Sequence, residues 1–255
     1  MKTVLFLVLI STTALFSEPN SDFETLLNSI NQFYPSGNLD QSILLAEDYQ
    51  PKNQQVQAKH SRLLHKLYQE RGEKRFIGFD VLGSVKDFER VIEINPTVKP
   101  YHWQLGISYY LNEQFEEGKK LFELHKKVNP NDVENAVWHF ICHAKLVGFP
   151  KAQKSLIPIQ HDRRIPMMDI YELFSGRLSL SGFFKKIPEY RKVDSAQTPS
   201  MMYTYQYLGL YFEALGNLDK AKEYTLLAVK TYKKYQSEHY MGDTAKTHAK
   251  VRDWF

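Results

Sequence analysis

Along most of this chain, apolar residues return every three or four positions, the spacing that lines one face of an α-helix. Val81, Ser84, Phe88 and Ile92 form such a stripe, as do Val133, Val137, Phe140, Ile141 and Ala144. Polar residues, proline and glycine separate the stripes. Asn112-Glu113 breaks one helix from the next, Pro166 opens a short helix bearing Met167, Ile170, Tyr171 and Phe174, and Gly176 ends it. A further short helix and a loop around Pro188 are expected after it. Residues 18–58 are more polar, with helical stretches predicted at 23–33 and 39–48. The tail, 238–255, reads as a closing helix with Met241, Ala245, His248 and Phe255 inward and Lys246, Lys250 and Asp253 outward. Gly242-Asp243 is its expected N-cap. The pattern predicts an all-α fold.

The stripes also repeat at longer range. Pro96 and Pro130 each close an apolar helix in the dipeptide Asn-Pro and lie 34 residues apart. At the same interval Phe88 returns as Phe122, and Ser84 as Gly118 and then Ala152. Such a period marks stacked helical hairpins, because one hairpin cannot bury its own apolar face. The clearest unit spans 99–130. Pro100 suits a first helical position, Leu105, Gly106 and Tyr109 share one side of helix A, and helix B carries Phe115, Gly118 and Phe122. Small residues at 106 and 118 let two backbones approach, and Tyr109 and Phe122 fill the adjoining gaps. The pattern resumes with Tyr205, Leu208, Gly209, Phe212, Gly216, Leu218, Ala221 and Ala228.

These residues resemble the tetratricopeptide repeat pattern. The match is partial over 62–96, where Gly72 holds the small position but Arg71 and Arg75 stand at apolar ones. It is partial again over 131–156, where Asn131 and Glu134 form a capping-box-like start and Phe140 or Ile141 takes the small position. The resemblance implies a right-handed superhelical array of stacked helix-turn-helix repeats, with an irregular middle segment and a C-terminal capping helix. The expected organisation is a signal peptide (1–17), a polar N-terminal segment or degraded repeat (18–58), repeats (59–157), an irregular helical connector (158–198), a further repeat (199–235) and the capping helix (236–255).

Composition refines this picture. The 255 residues are 43% hydrophobic and 14% aromatic, enough for a continuous core. The formal charge of +4, with both signs interspersed, reads as a solvated basic face and names no nucleic acid. Lys2, the apolar run from Val4 to Ile10 and the polar break at Ser17-Glu18-Pro19-Asn20 have the layout of a secretory signal, too short for a spanning helix. The expected location is therefore exported (periplasmic, cell-surface or secreted), with no stable membrane anchor after cleavage. Cys142 is the single cysteine, so no intrachain disulfide is expected.

No catalytic or cofactor motif is present. His139, Cys142 and His143, at i, i+3 and i+4, project from neighbouring points of one helical face and could ligate zinc or copper, or simply pack. His161-Asp162-Arg163-Arg164 is a polar corner, either an anion site or a capped turn. The resemblance implies that A helices line a concave groove. Trp103, Ile107, Tyr110, Trp138, Tyr203, Gln206 and Glu213 are its candidate partner-binding residues, with Trp103 and Trp138 alternatively wedged between repeats as core. The chaperone-tail clamp found in some tetratricopeptide repeats is not reproduced, since Gln69, Glu73, Trp103 and Ile107 occupy its positions. The leading functional expectation is an exported, non-enzymatic scaffold holding another protein or peptide. The alternatives are a metal-binding or hydrolytic protein and a self-associating structural protein.

Overall fold

The computed structural model describes residues 19–235 and 238–255, and the expected signal peptide lies outside them. Every regular element among the described residues is helical. The chain divides into one unit up to Leu67 and another from Tyr68 onward.

The first unit holds α1 (Pro19–Phe33), α2 (Leu39–Asp48) and the start of α3 (Gln54–Ile77). Gly37 makes the turn between α1 and α2 with φ of 75°, a conformation open to a residue without Cβ. The Asn38 side chain then accepts from Gln41 N–H at 3.2 Å and caps α2. Phe23, Ile30, Ile43 and Ala46 are buried between these helices.

The second unit continues through α4 (Val81–Ile94), α5 (Trp103–Leu111), α6 (Phe115–Val128), α7 (Val133–Val147) and α8 (Phe149–Lys154). It is completed by α9 (Met167–Ser175), α10 (Leu180–Lys192), α11 (Ser200–Ala214), α12 (Leu218–Tyr235) and α13 (Tyr240–Val251). From α4 onward each helix packs against the next, with further contacts of α7 to α5, α9 and α11.

The 34-residue interval is written into the backbone as well as the side chains. Phe79, Glu113 and Gly216 hold φ of 72°, 62° and 79° at the joints α3–α4, α5–α6 and α11–α12. At each joint the next residue closes the helix on a carbonyl five residues back. Asp80 N–H donates to Arg75 O (2.8 Å), Gln114 N–H to Tyr109 O (2.8 Å) and Asn217 N–H to Phe212 O (2.9 Å). The close approaches repeat too. A Cβ at Gly72 or Gly106 would meet the ring of Phe88 or Phe122 at 2.6 Å, and one at Gly209 would meet Thr225 Oγ1 at 2.4 Å. Gly106→Val is therefore expected to lose about 1–3 kcal/mol by overpacking, read from urea unfolding. An unchanged midpoint would mean that Phe122 swings aside freely.

The unexpected arginines of α3 have a partner. Asp87, buried on α4, accepts from Arg71 Nη2 at 2.6 Å and from Arg75 Nη1 at 2.9 Å. Two cations thus replace apolar residues because a buried carboxylate faces them.

Several helix limits differ from the sequence expectation. Pro100 does not open helix A. Pro96–Tyr101 forms a 3-10 segment, and α5 starts at Trp103 with His102 Nδ1 accepting from Leu105 N–H. Two prolines four residues apart remove N–H donors and restrict the residues before them, which prevents a regular α-turn. The cap of α7 is Asp132, bonded to Glu134 N–H at 3.1 Å, because Asn131 instead accepts from Gln160 N–H at 3.2 Å. The segment around Pro188 is helical, not a loop. α10 passes through it, tied beyond the proline by Tyr190 OH to Asp169 (2.8 Å) and Ser200 Oγ to Tyr190 O (2.7 Å). α13 is capped by His239 Nδ1, which accepts from Met241 N–H, so Gly242-Asp243 lies inside the helix. Gly242 is required there for another reason: its Cα abuts the Tyr232 ring. Phe255, expected inward, is exposed because the helix ends at Val251.

Candidate functional site

α13 crosses the first helices of three hairpins at equivalent positions. Phe76, Tyr110 and Glu213 are the residues whose carbonyls accept from the joint residues Phe79, Glu113 and Gly216. Neighbouring α13 residues meet all three. Thr247 Oγ1 donates to Phe76 O at 2.9 Å, and His248 lies edge-on to Tyr110 and donates Nε2–H to Glu213 Oε2 at 2.6 Å. Arg252 Nε (2.9 Å) and Lys145 Nζ (3.3 Å) complete the shell around the Glu213 carboxylate. Burial alone would raise this carboxyl. His248, Arg252 and Lys145 outweigh it and hold Glu213 well below the usual carboxylate range. Tyr110, Gln206 and Glu213 are all buried. They are among the groove residues inferred from sequence, and the chain's own last helix covers Tyr110 and Glu213.

The other four candidates converge. Trp103 and Ile107 of α5, Trp138 of α7 and Tyr203 of α11 line one cavity of about 510 Å³. Tyr240, at the start of α13, forms a further wall, its ring edge-on to Trp103 at 4.9 Å between centroids and stacked on Phe76 at 5.3 Å. Helices α5, α7 and α11 carry these wall residues, and Tyr240 and Met241 of α13 join the lining. Three residues of the lining each carry a buried polar atom with no hydrogen-bond partner: Trp138 Nε1, Asn135 Oδ1 and Tyr240 OH. Asn135 is held in place by its other amide atom, since Nδ2 donates to Phe122 O at 3.2 Å.

Charge gathers at one end of the cavity. Arg164 Nη2 bonds Asp132 and Asp162 at 2.6 Å each, and Nη1 pairs with Glu134. Asp162 also accepts from Val133 N–H at 3.3 Å, so the polar corner ties down the first turn of α7. Burial pushes the Glu134 carboxyl above its usual value against the pull of Arg164, while Tyr207 OH donates to its Oε1 at 2.6 Å. Burial also works against ionised Asp132, but His125 and Arg164 prevail and hold it below its usual value. Across the opening, His239 Nε2 lies 3.5 Å from Tyr203 OH, and burial lowers the His239 pKa. Sequence reasoning did not single out Asn135 or Asp132 as site residues, and it read Tyr240 only as part of the polar corner His239–Asp243. Only folding brings the three to the aromatic wall.

His139, Cys142 and His143 are not brought together as a ligand set. The Cys142 sulfur packs on Gly118 in the α6–α7 contact, and burial pushes its thiol far up. His139 Nε2 faces Glu123 at 3.4 Å, and His143 Nδ1 takes up Ser155 Oγ at 2.9 Å. Helix α7 thus points the thiol into a helix contact while the imidazoles turn to other partners. Among the described residues, no group of three His, Cys, Asp or Glu side chains could hold a metal ion. Nor is any described helix long and apolar enough to cross a membrane. No protein-family model matches this chain.

Proposed function

We propose that this chain is a non-enzymatic binding module of tetratricopeptide-repeat type, a right-handed superhelical array that acts outside the cytoplasm and holds a partner polypeptide. The recurrent joints at Phe79, Glu113 and Gly216 and the repeated glycine contacts support the repeat reading. The observation that carries the binding reading is the cavity, lined by aromatic rings and by residues whose buried Trp138 Nε1, Asn135 Oδ1 and Tyr240 OH have no hydrogen-bond partner. Aromatic walls bind with little loss of side-chain freedom. Unmet polar atoms cost free energy until a ligand supplies their partners. Because α13 covers the line past Tyr110 and Glu213, the partner inserts a side chain and its flanking backbone here and does not lie along the full inner face.

The test is a photoreactive residue at Glu238, exposed beside the opening, against a control at the exposed Lys230 on α12. Crosslinking in cells should yield one dominant adduct from position 238 and none from 230. The captured polypeptide, purified, should then bind one-to-one. Equal labelling at both positions, or no binding by the purified polypeptide, would refute the reading.

A further inference from the structure

We infer that the cavity is a receptor for an organic cation with N–H donors, a primary alkylammonium or a guanidinium, and that the inserted side chain of the partner is a lysine or arginine. This rests on the polypeptide-binding reading and deepens it. Three independent features of the cavity agree.

The first is charge. Asp132, Glu134 and Glu238 line the cavity and Asp162 stands just behind, while Arg164 is the single lysine or arginine on the lining. That guanidinium is already committed to Asp132, Glu134 and Asp162. Even with Glu134 protonated, the carboxylates outnumber the cation, so an entering positive group meets a favourable field and an anion does not.

The second is the wall. Trp103, Trp138, Tyr203 and Tyr240 present indole and phenol rings, whose faces attract a cation, with tryptophan the strongest. A purely apolar guest would be served equally by leucine and isoleucine walls and would gain nothing from the acidic end.

The third is the unmet hydrogen bonding. Asn135 is 3% exposed, and its Oδ1 is a buried acceptor with no donor. An ammonium or guanidinium N–H supplies one; a quaternary ammonium cannot. Tyr240 OH, able to give or take a hydrogen bond, is unpartnered as well, and Trp138 Nε1 is a buried donor with no acceptor. A carbonyl near the cation, such as that of a peptide group, supplies it. Cation, N–H and carbonyl occur together in a lysyl or arginyl peptide unit.

The experiment titrates the full chain by calorimetry with four probes: the Nα-acetyl N-methylamides of lysine, arginine and norleucine, and n-butylammonium. Norleucine matches the shape of lysine without its charge. The lysine or arginine amide should bind at least about tenfold more tightly than the norleucine amide, within the range of a desolvated cation–aromatic contact. Equal or tighter binding of norleucine overturns the cation assignment and leaves the polypeptide reading standing. Binding of n-butylammonium as tight as that of the lysine amide upholds the cation site and refutes the polypeptide reading, because the flanking carbonyls then contribute nothing.

Two variants locate the site. Trp103→Leu should weaken lysine-amide binding by about two- to thirtyfold. Glu238→Gln, at an exposed position outside the core, should weaken it by about two- to fivefold and leave norleucine unaffected. Lysine-amide affinity unchanged in the folded Glu238→Gln protein and in any folded Trp103→Leu protein overturns the proposal.

Discussion

Glu213→Ala is expected to destabilise the protein by about 3–5 kcal/mol, the usual result of removing one partner from a buried ionic cluster. The Glu213 side chain is 1% exposed, and three groups depend on it: His248 and Arg252 from the C-terminal end and Lys145 from α7. Without the carboxylate, the Arg252 and Lys145 charges are left facing each other in a poorly solvated site. The same cluster sets an acid limit. The folded pKa of Glu213 is depressed, so its contribution is fully present above the unfolded value of about 4.5 and is lost as pH falls below it. Thermal melts across pH 3–6 should therefore show a steep fall below about 4.5. In Glu213→Gln this fall should be shallower, from a lower plateau. A slope identical to the parent's would show that other carboxylates govern acid unfolding.

Phe122→Ala should cost a comparable amount, about 3–5 kcal/mol. The ring is 1% exposed and fills the space opened by Gly106. Its loss leaves a void between α5 and α6 that neither backbone can close, because each is also packed against α7. The two positions should be coupled. Gly106→Val overfills when Phe122 is present and partly refills the void when it is absent. The double variant should then be more stable than the sum of the single losses predicts, by about 0.5–3 kcal/mol. Strict additivity in equilibrium urea unfolding would mean that the two side chains do not share one space.

Much of the local architecture could be read from the sequence because its causes are local. Asn-Pro follows the last turns of α4 and α6, since proline lacks the N–H a continuing helix needs and restricts the residue before it. The glycine and phenylalanine pairs betray a close helix contact because only one volume arrangement suits them. Helix caps were harder to read. His102 and His239 cap through imidazole nitrogens, which the usual Ser, Thr, Asp and Asn signature does not cover. The left-handed joints carry Phe79 and Glu113, residues that announce no such turn, and only Gly216 does so. The site was half legible. Trp103, Ile107, Trp138 and Tyr203, expected on one face from the sequence, line one cavity. Tyr110, Gln206 and Glu213 were expected on the same face, yet all three are buried, Tyr110 and Glu213 under α13. Nothing periodic in residues 240–251 tells which helices that helix will lie against, since its placement rests on Thr247, His248 and Arg252 finding partners far away in sequence.

That placement governs how the second unit comes apart. A linear stack whose members touch only their nearest neighbours frays from either end, and each hairpin melts nearly on its own account. Here one segment near the C-terminus grips Phe76, Tyr110 and Glu213 together. Amide protons of α3, α5 and α11 should accordingly exchange with solvent through a common opening event, and losing α13 should release all three to separate ones.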